Sequence, residues 1–181
     1  MVYVMLAEGF EELEAVTIIT VLRRGGATVS TVSITGQKLV NGVRGIPMMA
    51  DILIETADFG ACEMIALPGG IPGASNLAKS EALMSAVTDF SAEGKWVAAI
   101  CAGPLVLQAA GVLKGRRVTC HPGVAGELTQ IPRLNDRVVV DGRLITSQAP
   151  GTAFEFALEL IRAVEGERKA DELAKSMVIN T

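Results

Sequence analysis

The run Trp96-Val97-Ala98-Ala99-Ile100-Cys101-Ala102-Gly103-Pro104-Leu105 decides the fold. Its first five residues are apolar without alternation, the pattern of a strand buried on both faces, and such strands belong to parallel sheets covered by helices. Gly103-Pro104 then opens a helix over Leu105–Ala110, since a proline in the first turn has no N–H to lose. A strand that feeds straight into a helix forces a sharp turn. Cys101 stands on that turn with small neighbours, the design of a nucleophile elbow. The free N–H groups of the new helix point toward the sulfur and favour thiolate over thiol.

Working outward, the same alternation repeats. Upstream, Cys62–Leu67 is a buried strand that stops at Pro68-Gly69-Gly70. A short helix over Ala74–Lys79 and a longer one over Glu81–Glu93, closed by Gly94, lead back to Trp96. Further back, Val2–Leu6 is a strand, and Gly9 turns the chain into a helix that begins in the acidic run Glu11-Glu12-Leu13-Glu14. That helix ends at Arg23-Arg24 before Gly25-Gly26, with charges placed to suit its dipole. Its middle, Val16–Val21, is β-branched and apolar all round, so it needs cover on more than one side and predicts a subunit contact. Ala27–Ile34 is a second strand, and residues 38–56 read as a short hairpin plus a strand. Downstream, Val118–Cys120 is a strand tip before His121-Pro122. Arg137–Val140 and Arg143–Ser147 flank Asp141-Gly142, a dipeptide suited to a type I′ hairpin. Helices over Thr152–Val164 and Glu167–Met177 end the chain, the first opened by a Thr152/Glu155 capping box.

Strands alternating with helices predict an α/β fold, one domain over residues 1–181, with a mostly parallel sheet covered on both faces. Reactive groups in such sheets gather beyond the carboxyl ends of the strands. Four segments fall there: Ala7–Glu14, Pro68–Gly73, Cys101–Pro104 and His121–Gly123.

Composition narrows the function. Of 181 residues, half are hydrophobic and a fifth charged, enough to bury a large core. Sixteen basic against twenty acidic residues give a net charge of −4, with no basic stripe for nucleic acid. No apolar run reaches the roughly 18 residues that cross a bilayer, and the N-terminus lacks the basic start of a signal peptide. Three cysteines without C-x-x-C spacing read as free thiols in a reducing, cytoplasmic compartment.

Among the candidates, Cys62 and Cys120 lie inside or at the tip of strands and read as inert. Only Cys101 has the elbow. Gly69-Gly70 leaves backbone N–H groups accessible for an oxyanion or substrate oxygen, and the amide of Ala102 is a natural second donor. Of the three acids at the first helix, Glu11 or Glu12 reads as a solvated dipole partner, while Glu14, between Leu13 and Ala15, can turn inward. His121 is the only histidine, so no soft-ligand set has metal spacing. Neither a metal nor another cofactor is expected.

Together these stretches resemble the ThiJ/PfpI superfamily, in particular the branch of the parkinsonism-associated protein deglycase. The matching motifs are Glu11–Glu14, Leu67–Gly70, Ala98–Pro104, Cys120-His121-Pro122 and Ser147-Gln148-Ala149-Pro150-Gly151-Thr152, in the family's order. The resemblance implies a flavodoxin-like (class I glutamine-amidotransferase-like) three-layer sandwich and a homodimer. It implies an active site of Cys101 with Glu14 and His121, in which a protonated Glu14 hydrogen-bonds the sulfur. Gly70 and Ala102 carry over as oxyanion donors. Arg24 and Arg44 match arginines near the dimer interface, and Pro150 a residue bordering the partner's pocket. PfpI-type peptidases carry His directly after the nucleophile. Ala102 stands there instead, so a Cys–His peptidase is the less favoured alternative.

The expected activity is cofactor-independent conversion of a small aldehyde, methylglyoxal, to lactate, or the related release of glycation adducts from glycated protein. A redox-sensing stress protein or chaperone, with Cys101 oxidised to sulfinate, is the competing reading.

Overall fold

The computed structural model describes residues 1–179. A seven-stranded sheet runs in the order β5-β2-β1-β6-β7-β9-β8. Its strands are β1 (Val2–Leu6), β2 (Val29–Ser33), β5 (Ile52–Leu53), β6 (Met64–Leu67), β7 (Trp96–Ile100), β8 (Val138–Asp141) and β9 (Leu144–Ser147). All neighbours pair in parallel except β8, which returns antiparallel along β9. The expected hairpin before β5 is β3 (Leu39–Asn41) with β4 (Pro47–Met49). The helices are α1 (Glu12–Arg24), α2 (Gly73–Leu77), α3 (Glu81–Glu93), α4 (Gly103–Ala109), α5 (Ala153–Glu165) and α6 (Glu167–Ser176).

Strand alternation sorts the core into two halves. Val2, Val4 and Leu6 of β1 face one side with Met64, Ala66, Ala98 and Ile100, packed against α1, α5 and α6. Tyr3 and Met5 face the other with Ile65, Leu67, Val97 and Ala99, under α2, α3 and α4. Both faces are buried, which explains why these strands show no polar alternation in sequence. The result is the flavodoxin-like three-layer sandwich.

Chain direction reverses its lateral course between β1 and β6: β1 leads to β2 on one side, and β6 leads to β7 on the other. This switch point opens a crevice beyond the carboxyl ends of the two strands. The turns after β1, β6, β7 and β9 all meet there.

Three local expectations fail for identifiable reasons. Val118–Cys120 does not join the sheet and forms only an isolated bridge to Arg133, because β8 already occupies the outer edge of β9. The β8–β9 turn centres on Gly142-Arg143 instead of Asp141-Gly142, since Asp141 pairs with Leu144. Gly142 has φ +62° while Arg143 does not enter the left-handed region, the type II′ pattern. The capping box at α5 is absent. Thr152 Oγ1 bonds Ser147 Oγ at 2.7 Å and the backbone of Ala149, and Glu155 turns out to Arg137 at 2.7 Å. A 3-10 turn over Pro150–Thr152 leads directly into α5, so Thr152 has a different task.

Candidate active site

Cys101 has φ +64°, the left-handed conformation that a non-glycine residue adopts at a cost. Its N–H bonds Ser147 O at 3.0 Å, and its C=O accepts from His121 N at 2.9 Å. Both β9 and the His121 segment thus hold the elbow. Tight packing fixes it further: a Cβ on Gly103 would lie 2.8 Å from Leu67 O, so only glycine lets α4 start this close to β6.

Glu14 lies on the first turn of α1, fully buried. Glu11 caps that helix by accepting from Glu14 N at 2.7 Å, which sets the turn that aims Glu14 inward. Its Oε2 accepts from Gly69 N at 2.7 Å, and its carboxyl is within hydrogen-bonding reach of Cys101. Its Oε1 is buried without a protein partner among the described residues. A Cβ on Gly69 would sit 2.5 Å from Cys101 Cβ and 2.9 Å from both Ala102 N and Glu14 Oε2. Gly69 is therefore the spacer that lets acid and thiol meet. This corrects the expectation that Gly69 donates to an oxyanion: its N–H is committed to Glu14. The amides of Gly70 and Ala102 instead reach the sulfur of Cys101.

Burial pushes the Glu14 carboxyl up to about 7, against the pull of the Gly69 and Cys101 hydrogen bonds, and the charge of Glu11 adds to the rise. Burial also pushes the Cys101 thiol up, to about 12, with the charge of Glu14 as the next cause and a hydrogen bond from the thiol to that carboxylate as the third. The amides of Gly70 and Ala102 pull it down. The helix amides favour the thiolate, as the sequence predicts, but burial and the charge of an ionised Glu14 outweigh them. The second and third causes exist only while Glu14 is ionised. A proton on Glu14 removes the repulsion and turns the hydrogen bond into one donated to sulfur. The two groups titrate as one pair that carries a single negative charge once its first proton has left.

A cavity of about 360 Å³ opens over the sulfur. Cys101, Gly70, Ala102, His121, Arg44 and Pro150 line it, with Glu11, Val43, Ile71 and Val124. His121 Nδ1 accepts from Gly123 N at 3.0 Å, so a neutral imidazole carries its proton on Nε2. Arg24, grouped with Arg44 and Pro150 in the sequence reading, is not part of this cavity: it ends α1, roughly 18 Å along the helix from Glu12. Of Glu11 and Glu12, one of which reads as a solvated dipole partner, Glu12 is not that one. It is buried, and its Oε1 accepts from Arg44 N at 2.6 Å and Ile46 N at 3.3 Å. Among the described residues, no group of three His, Cys, Asp or Glu side chains is placed to hold a metal ion.

A thiol on a strained elbow at the switch point of a doubly covered parallel sheet, paired with a buried acid, defines a class of cysteine-site α/β proteins. Within that class this chain belongs to the DJ-1/PfpI family, whose pattern matches residues 1–163. Protein DJ-1 homolog A of Arabidopsis thaliana is 39% identical over 181 residues, covering 98% of this chain but 46% of that protein. The chain thus spans about half the length of that relative. The Caenorhabditis elegans protein named glutathione-independent glyoxalase DJR-1.2 is 36% identical, covering 95% of this chain and 92% of that one. The solved structure of oxidised Toxoplasma gondii DJ-1 superposes with a TM-score of 0.95 at 37% identity, covering 99% and 98% of the two chains.

Proposed function

We propose that this chain is a cofactor-independent glyoxalase in which the Cys101–Glu14 pair converts methylglyoxal to lactate, working as a homodimer. The observation that carries the reading is the buried acid, raised to about 7, held by Gly69 within reach of the one partly exposed thiol. The relative named as a glutathione-independent glyoxalase supports it.

The charge of the pair rests on sulfur and the proton on Glu14. Three features favour that division. Cys101 lines a cavity while Glu14 is fully buried, two amides reach the sulfur against one for the carboxyl, and Oε1 has no donor among the described residues. The thiolate adds to the aldehyde carbon, its electron pair forming the C–S bond as the carbonyl π pair moves to oxygen. Gly70 and Ala102 amides stabilise that oxygen, which takes the proton from Glu14 to give a hemithioacetal. Glu14, now a carboxylate, removes the proton from the former aldehyde carbon, and the ketone oxygen is protonated, giving an enediol. His121 Nε2–H is the donor available at that oxygen. Glu14 returns its proton to the neighbouring carbon while the hydroxyl on the sulfur-bearing carbon gives its proton back to His121, which yields a lactoyl thioester; water then hydrolyses it to lactate and free thiol. Oxidation and reduction balance within the substrate.

Lactate formed from methylglyoxal without glutathione tests this, with Cys101→Ser as control. The reading requires lactate from the wild type and none above background from the variant. Equal rates would overturn it.

A second reading rests on the same thiol being the partly exposed one: stepwise oxidation by peroxide to a sulfinate, hydrogen-bonded by protonated Glu14. The relative solved in oxidised form supports it.

A further inference from the structure

Glu12 is a buried carboxylate that no step above uses. It stands at the first turn of α1, two residues before Glu14, yet faces away from the thiol toward the turn between β3 and β4. Its Oε1 takes two backbone donors from that turn, Arg44 N at 2.6 Å and Ile46 N at 3.3 Å. The fit is close: a Cβ on Gly42 would lie 2.3 Å from the Glu12 carboxyl. Around it, Val43 N bonds Phe10 O at 2.8 Å, and Gly42 N bonds Ile46 O at 3.1 Å. The turn so held carries Val43 and Arg44 to the wall of the Cys101 cavity. Arg44 has no acidic partner among the described residues. With its backbone held there, Arg44 brings a positive charge to the cavity wall, and that charge draws anionic groups toward the sulfur.

We propose that Glu12 is a positioning residue that, through the amides of Arg44 and Ile46, holds Arg44 at the mouth of the Cys101 cavity and thereby sets the site's preference for anionic reagents. The inference rests on the reading of this cavity as the reacting site, but not on any particular turnover.

Alkylation of Cys101 tests it, because iodoacetate and iodoacetamide differ in charge but attack the same thiolate. The ratio of their rate constants cancels the thiolate fraction and reports the local field. In the intact protein Arg44→Met lowers the iodoacetate-to-iodoacetamide ratio by roughly threefold to tenfold, the worth of one nearby charge. Glu12→Ala lowers it by the same factor, and the double variant falls no further. Glu12→Gln keeps the ratio at or above the wild-type value, since its amide oxygen still accepts both N–H groups. Sign separates positioning from simple charge. Removing a negative charge without moving Arg44 would raise the ratio in both Glu12 variants, and that result would overturn the proposal. So would Glu12 and Arg44 effects that add. If Glu12→Ala fails to fold, Gly42→Ala presses on the same carboxyl from the opposite side and lowers the ratio, whereas an unchanged ratio there refutes the idea. Absence of lactate from the wild type would sink the glyoxalase reading while leaving these ratios interpretable.

Discussion

At Cys101 and Glu14 the chemistry turns on where one proton lies. Glu14 is raised from an ordinary 4.5 to about 7 in the folded chain, chiefly by burial. Between those values the folded protein keeps a proton that the unfolded chain has lost, so stability falls as pH rises through this window and levels off above it. Each pH unit costs up to about 1.4 kcal/mol, on the order of 3 kcal/mol across the window. Glu14→Gln removes this dependence, and urea denaturation of both proteins from below 4.5 to above 7 measures the difference. Parallel stability profiles would show that the pair does not hold its proton as described. Cys101 and His121 were legible as residues because a strand-to-helix turn and a lone histidine are local features. The burial of Glu12 and the commitment of the Gly69 N–H were not legible, for one reason. Whether a carboxylate is solvated, or an N–H free, depends on which backbone from distant sequence packs against it.

Elements show the same division between local and distant causes. α1, α3 and β7 were readable to within a residue or two, because charge at helix ends, Gly94 in its left-handed C-cap conformation (φ +68°) and unbroken apolar runs are written in consecutive residues. The entry to α5 was not. Thr152 and Glu155 have capping-box spacing, but Thr152 is drawn to Ser147, whose hydroxyl also donates to Arg137 O at 2.8 Å. This small buried network ties β9 to the turn at Pro150, the edge of the cavity. Thr152→Val leaves the Ser147 hydroxyl and the Ala149 N–H short of a partner and costs roughly 1–3 kcal/mol. Glu155→Gln breaks an exposed pair with Arg137 and changes stability by no more than the error of a denaturation curve. A capping box would instead make both losses comparable, so urea midpoints of the two variants decide between the arrangements.

At the scale of the whole molecule, one face remains apolar without cover among the described residues. Leu13 and Val16 on α1 are about half exposed, and Ile46 and Met49 on the hairpin beside them are 60% and 64% exposed. A groove between the two carries Val16, Ile19, Met48 and Met49. This is the helix whose sequence lacked a polar side, and a second copy of the chain is the expected cover. Light scattering at micromolar concentration should give twice the 18.9 kDa chain mass, and Val16→Asp should give the monomer. A monomeric wild type would contradict the dimer. No described helix is long and apolar enough to cross a membrane. The sheet, the switch point and the closely packed glycines bring Glu14 and Cys101 together, and thiolate absorbance in the far ultraviolet against pH reads most directly where the proposed mechanism puts their proton. With the proton on Glu14, the wild type gains thiolate below the ordinary 9, Glu14→Leu raises the cysteine pKa, and Glu14→Gln falls between. If Glu14 acts as an anion instead, the wild type shows no thiolate below the ordinary 9, and Glu14→Leu titrates lower than wild type. That result would contradict the mechanism.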